Sequence, residues 1–146
     1  MNKKEVEKLI KDADAYCREQ GLRFTEPRRY VLEIIASSAK PLGAYAILEK
    51  LGSYIESPKP PTAYRAIEFL SGNGFIHRIE SLNAYVVCGT DHRHTGSQFL
   101  ICGSCGKVVE AHLCHVPEGL AKQAEIAGFR LTRWNAELHG LCDACS

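Results

Sequence analysis

Lys59-Pro60-Pro61-Thr62-Ala63-Tyr64-Arg65-Ala66-Ile67-Glu68-Phe69-Leu70 decides the architecture of this 146-residue chain. The prolines, with Pro58 before them, forbid helix up to that point and fix the approach to the next element. From Thr62 to Leu70, Ala63, Ala66, Ile67 and Leu70 recur at helical spacing on one face, and Gly72 and Gly74 close the element. Phe75 to Ile79 and Ala84 to Val87 are short apolar-rich segments around Glu80, Ser81, Leu82 and Asn83, the pattern of a β-hairpin.

Upstream, Val6, Leu9, Ile10, Ala13 and Tyr16 predict a first helix stopped at Gly21. Thr25 is placed to cap a second helix with Pro27 in its first turn and Val31, Leu32, Ile34 and Ile35 on its buried face, ended by Pro41. Ala44, Ile47, Leu48, Leu51 and Ile55 predict a third. Helices followed by a hairpin make a winged-helix pattern over residues 1–87. Residues 88–96 are polar, carry His92 and His94, and are expected to be a hinge.

Over residues 97–146 the texture changes. Gln98 to Ile101 and Lys107 to Ala111 predict strands flanking a Cys-Gly-Ser-Cys-Gly turn, Pro117 to Ala127 a helix, and Arg130 to Leu138 a closing strand. The fold class is therefore α+β: an N-terminal winged-helix domain plus a small α/β domain with a four-cysteine site. No internal repeat or low-complexity segment interrupts it.

With 45% hydrophobic residues the chain can bury a core. Met1 to Ile10 intersperses charges among its apolar residues, so no export or membrane-spanning signal is read there, and a cytoplasmic location is expected. The net charge of +1 lends little support to nucleic-acid binding. Residues 1–87 carry 13 Lys/Arg against 11 Asp/Glu, a weak bias. Any case for DNA must come from motifs.

Seven cysteines without an export signal point to metal rather than disulfides. Cys102 and Cys105 form one Cys-x-x-Cys pair and Cys142 and Cys145 another. Four thiolates so paired suit a closed, tetrahedral, structural Zn²⁺ site that staples the C-terminal strand to the first turn. A redox reading of the first pair lacks the βαβ context that such motifs occupy. Cys17 and Cys114 stand outside the quartet.

In the winged-helix pattern the helix beginning near Thr62 should enter the major groove, with Thr62, Tyr64 and Arg65 near base edges. Arg65 suits a bidentate contact to guanine, and Tyr64 a thymine methyl or a phosphate. Lys59, Arg28 and Tyr45 are candidates for backbone contacts, which position without specifying.

The helix, the Lys59-Pro60-Pro61-Thr62-Ala63-Tyr64-Arg65-Ala66 run, the hairpin and the two Cys-x-x-Cys pairs together resemble the ferric uptake regulator (Fur) superfamily over nearly the whole chain. Leu22-Arg23-Phe24-Thr25 with Arg28, Gly74-Phe75-Ile76-His77, and Asn83-Ala84-Tyr85-Val86-Val87-Cys88 look most like its zinc uptake regulator (Zur) branch. That resemblance implies a homodimer whose sensing metal is bound by His77, Cys88, His94 and Glu110, with His92 the alternative to His94.

One sulfur, two imidazoles and a carboxylate fill a tetrahedron around Zn²⁺, and the thiolate argues against iron or manganese. Two zinc ions per chain are therefore expected, and His112, Cys114 and His115 could form a third site. The resemblance implies a zinc-responsive repressor that binds palindromic operators of zinc-uptake genes, with double-stranded DNA and a second copy as partners. No enzymatic activity, small-molecule substrate or membrane is expected. The alternatives are a family member sensing iron, manganese or peroxide, and a small zinc enzyme built around His77, Cys88 or Glu110.

Overall fold

The computed structural model describes residues 1–89, 96–111, 113 and 115–146. The chain divides into two compact units, Met1–Cys88 and Gly89–Ser146.

In the first unit α1 spans Lys3–Glu19 and opens on a capping box, in which Asn2 Oδ1 accepts from Glu5 N at 3.0 Å and Glu5 Oε2 from Asn2 N at 2.6 Å. It buries Val6, Ala13 and Cys17, so Cys17 is a small core residue. Helix α2 (Glu26–Ser37) has Thr25 at its N-cap, but the Thr25 side chain makes no capping hydrogen bond, and Pro27 occupies the second helical position. Helix α3 (Ala44–Leu51) stops earlier than the apolar spacing suggests. Gly52 caps it, and Ile55 reaches the core from the turn beyond.

Helix α4 spans Pro60–Gly72, two residues longer at its start than the sequence reading. Pro60 and Pro61 occupy the first helical positions, where a missing N–H costs nothing. Its buried residues are Ala63, Ala66, Ile67 and Leu70, which meet Val31, Leu32, Ile35, Ile47 and Leu51 in one core.

Strands β1 (Ile76–Ile79) and β2 (Ala84–Val87) pair antiparallel through a single 3-10 turn over Glu80–Leu82. Asn83 closes that turn at φ +47, a left-handed conformation that asparagine tolerates. A third short strand contact joins the hairpin, because Leu42 and Tyr85 exchange backbone hydrogen bonds of 3.1 and 2.8 Å. Helices with a three-membered wing are the winged-helix fold.

In the second unit β3 (Gly96–Cys102) is central, with β4 (Val108–Glu110) antiparallel on one side and β5 (Trp134–Gly140) parallel on the other. Helix α5 (Glu118–Ile126) makes the crossover. The closing strand starts at Trp134, opposite Gly96 of β3 and four residues later than the sequence predicts. Among the described residues the buried hydrophobics of this unit are Phe99, Ile101 and Cys102, all on β3, and α5 buries none. So thin a core calls for additional cross-links.

Candidate metal centre and reading helix

The parallel register brings the two Cys-x-x-Cys turns together. Cys102, the last residue of β3, faces Gly140, the last of β5, and Gly103 N donates to Gly140 O at 2.9 Å. In the first turn Cys102 N donates to Lys107 O at 2.8 Å and Gly106 N to Cys102 O at 3.0 Å. Gly106 sits at φ +74, a left-handed conformation that suits glycine. In the second, Cys142 O accepts from Cys145 N and Ser146 N, each at 2.9 Å.

The sulfurs of Cys102, Cys105, Cys142 and Cys145 all lie within 4.8 Å of one another, and Cys105 Sγ is 3.7 Å from Cys142 Sγ. An ion about 2.3 Å from four tetrahedral sulfurs separates them by about 3.8 Å, so the donor set fits zinc in both chemistry and span. Backbone N–H groups of Cys105, Cys142 and Ser104 point at the Cys102 sulfur and hold its pKa down to about 6. At Cys145 the Ser104 hydroxyl lowers the pKa, but the thiols of Cys142 and Cys105, burial and the Cys102 thiol outweigh it and push it up to about 11. Four sulfurs this close do not all carry charge by themselves, and a cation relieves that repulsion. Lys107 Nζ lies 3.6 Å from Asp143 Oδ1 across the two turns, an exposed pair that adds little.

Of the second set of expected ligands, His77 lies on β1 and Cys88 just past β2. Cys88 N donates to Phe75 O at 3.0 Å, which extends the ladder by one pair and sets both side chains on one face of the hairpin. A His77 ring nitrogen and Cys88 Sγ lie within 4.8 Å, and both residues are half-buried. In the second unit Glu110, half-buried at the end of β4, accepts a 2.9 Å hydrogen bond from Gly89 N on Oε2. His92 and His94 lie outside the described residues, as do His112 and Cys114; His115 is exposed.

The candidate DNA-reading residues sit at helix starts. Tyr64 is 58% exposed, Arg65 and Lys59 are exposed, and Thr62 is half-buried in the first turn of α4. Tyr45, 82% exposed, occupies the first turn of α3. Arg28 differs from these. It is half-buried, its Nη1 donates to Arg23 O, and its guanidinium carbon lies 3.7 Å from the centroid of the Phe69 ring on α4.

Sequence reasoning missed an exposed apolar row in the second unit. Val109, Leu100 and Leu138 face one another across β4, β3 and β5 and are 44%, 46% and 54% exposed. A shallow cavity of about 290 Å³ lies over them, with Leu141 also in its lining. The alternation of β3 held the signal, but only the strand register shows the three side chains to be contiguous.

The family model described as ferric uptake regulator family matches residues 19–139. The chain is 36% identical to the zinc uptake regulation protein of Escherichia coli (strain K12), over 99% of this chain and 85% of that one. It resembles a solved zinc uptake regulator complexed with zinc and DNA, with a TM-score of 0.88 and 35% identity over 95% of this chain and 93% of the other. It also resembles holo XcZur, with a TM-score of 0.83 and 38% identity over 94% and 96% of the two chains. The chain belongs to the ferric uptake regulator family, in its zinc uptake regulator branch.

Proposed function

We propose that this chain is a zinc-responsive transcriptional repressor that binds palindromic operators of zinc-uptake genes as a zinc-loaded homodimer in the cytoplasm. The observation that carries the reading is the likeness, over 95% of the chain, to a zinc uptake regulator solved with zinc and DNA. Two zinc ions per chain are proposed. Cys102, Cys105, Cys142 and Cys145 hold the structural one, and a closed set of four sulfurs leaves no position for a substrate.

His77, Cys88, Glu110 and His94, with His92 as the alternative, hold the regulatory one. Zinc there supplies a tetrahedral cross-link of neutral overall charge when thiolate and carboxylate both bind. Support comes from the shared face of His77 and Cys88 and from the Gly89 N–H that orients the Glu110 carboxylate. The Cys88 sulfur favours zinc over iron or manganese. Cys88 and His94 fall within residues 88–96, read from the sequence as the hinge, so metal occupancy there is what couples to the spacing of two reading heads.

Arg65 and Tyr64 read base edges, with Thr62 beside them, while Lys59 and Tyr45 hold the phosphate backbone. The Val109–Leu100–Leu138 row supports a homodimer, since a unit of this size gains a usable core by covering it with a second copy. Linkage requires operator DNA to raise zinc affinity by the factor by which zinc raises DNA affinity.

The test is a gel-shift titration against promoters of zinc-transport genes from the same genome, with zinc buffered across a range. Retardation that appears only as zinc rises is expected. Restoration by iron or manganese but not zinc would move the chain to a sibling function. Cobalt spectra showing a coordinated water would favour an enzyme.

A further inference from the structure

We propose that Arg28 is a positioning residue for the DNA-reading helix, acting through Phe69, and is not itself a contact to the DNA backbone; this rests on the repressor reading above. Its guanidinium carbon lies over the Phe69 ring on α4, 3.7 Å from the centroid, well inside the range of a cation–π contact. Its Nη1 is tied to Arg23 O in the segment between α1 and α2. Arg28 therefore bolts three pieces together: that connecting segment, the first turn of α2, and α4.

The place of Phe69 on α4 gives the contact its consequence. Thr62, Arg65 and Phe69 follow one another at helical spacings of three and four, so they form one stripe along α4, distinct from the buried stripe of Ala63, Ala66, Ile67 and Leu70. A clamp on the Phe69 ring fixes the rotation of the helix about its own axis at the face from which Arg65 projects. Bidentate reading of a base edge depends on that rotation, because the guanidinium fork must meet two acceptors at once. A lysine in place of Arg28 keeps the charge but loses the planar face and the fork that lets one group stack and donate together.

The experiment separates positioning from phosphate contact by salt dependence. A duplex selected from a random pool by the zinc-loaded parent protein, and a scrambled duplex, are titrated at several salt concentrations with the parent, Arg28→Met, Arg28→Lys and Phe69→Leu. Each phosphate contact contributes about 0.9 to the slope of log affinity against log salt. A positioning Arg28 predicts that Arg28→Met loses several-fold in preference for the selected duplex with the slope unchanged. Arg28→Lys should rescue it poorly, and Phe69→Leu should reproduce the loss, with the double variant no worse than either single.

A slope shallower by about one contact in Arg28→Met, restored by Arg28→Lys, would make Arg28 a phosphate contact and overturn the proposal. Unchanged preference in Arg28→Met would overturn it as well. If the parent itself prefers no duplex, the repressor reading fails and takes this inference with it. Thermal unfolding of each variant verifies that the first unit is intact, and Arg28→Lys, which leaves the charge in place, guards against a fold defect in Arg28→Met.

Discussion

Cys102 and Gly140 face one another across the parallel β3–β5 pair, so the two Cys-x-x-Cys turns leave the sheet side by side. The quartet is thus a consequence of strand register, and beyond its backbone ladder with β3 the strand β5 contributes none of the buried hydrophobics among the described residues. Cys105→Ser removes one sulfur of a closed set, so metal retention and folding of the second unit should fail together. Zinc content and near-UV circular dichroism of the purified variant check this. A folded Cys105→Ser chain that keeps its full zinc would show that the quartet is not a structural site.

Gly96 opens the same parallel pair, and a Cβ there would lie 1.6 Å from Trp134 O and 2.7 Å from its carbonyl carbon. Backbone cannot yield as a flexible side chain does. Gly96→Ala should cost at least about 1–3 kcal/mol, the usual range for overpacking, by forcing the strands apart at their first residues. Chemical denaturation of the zinc-loaded protein measures it, and a loss below a few tenths of a kcal/mol would contradict the close approach.

The elements set by local pattern were readable from the chain: the α1 stripe from Val6 to Tyr16, the α4 face, and the hairpin around Asn83. What escaped was non-local. Residues 130–133 look strand-like, yet β5 starts at Trp134, and its partner, β3, lies 38 positions away in the chain. The Leu42–Tyr85 bridge joins positions 43 apart, and Arg28 meets Phe69 across 41, so neither leaves a periodic signature. The quartet was legible because its spacing is local within each pair. The sensing ligands came from resemblance, since His77, Cys88 and Glu110 share no spacing rule.

The exposed Val109–Leu100–Leu138 row makes a prediction about assembly. Leu138→Asp places a charge on a face proposed to be covered by a second copy, and burying an unpaired carboxylate there is prohibitive. The parent should sediment as a dimer at micromolar concentration even at low zinc, and Leu138→Asp as a folded monomer with its structural zinc. A parent monomer with the quartet metallated would refute the homodimer. A Leu138→Asp dimer would place the interface on another face.

Arg65 and Lys59 are both exposed near the start of α4, yet they should differ in kind. Arg65→Ala should reduce discrimination between operator and random DNA by about 1–3 kcal/mol, the worth of a bidentate base contact, with folding and zinc content intact. Lys59→Ala should weaken all sequences alike and make the salt dependence shallower. Competition gel shifts with specific and scrambled duplexes distinguish the two. Unchanged operator preference in Arg65→Ala would mean that α4 is not the reading helix.

The last contrast concerns the two proposed metal sites. Cys88 belongs to a hairpin whose strands pair through their own backbone and whose unit has a complete hydrophobic core, so no fold depends on its sulfur. Cys88→Ser should therefore leave a folded dimer, unlike Cys105→Ser. Its zinc content should drop from two per chain to about one, because the quartet is closed and independent. Operator binding should then require more zinc than the parent does, or be lost, since an alcohol oxygen is a far poorer zinc ligand than a thiolate. Metal analysis and zinc-buffered gel shifts read the two consequences separately. Should Cys88→Ser respond to zinc with the parent's sensitivity, Cys88 is not a sensing ligand, and the preference for zinc over iron loses the donor chemistry on which it stands.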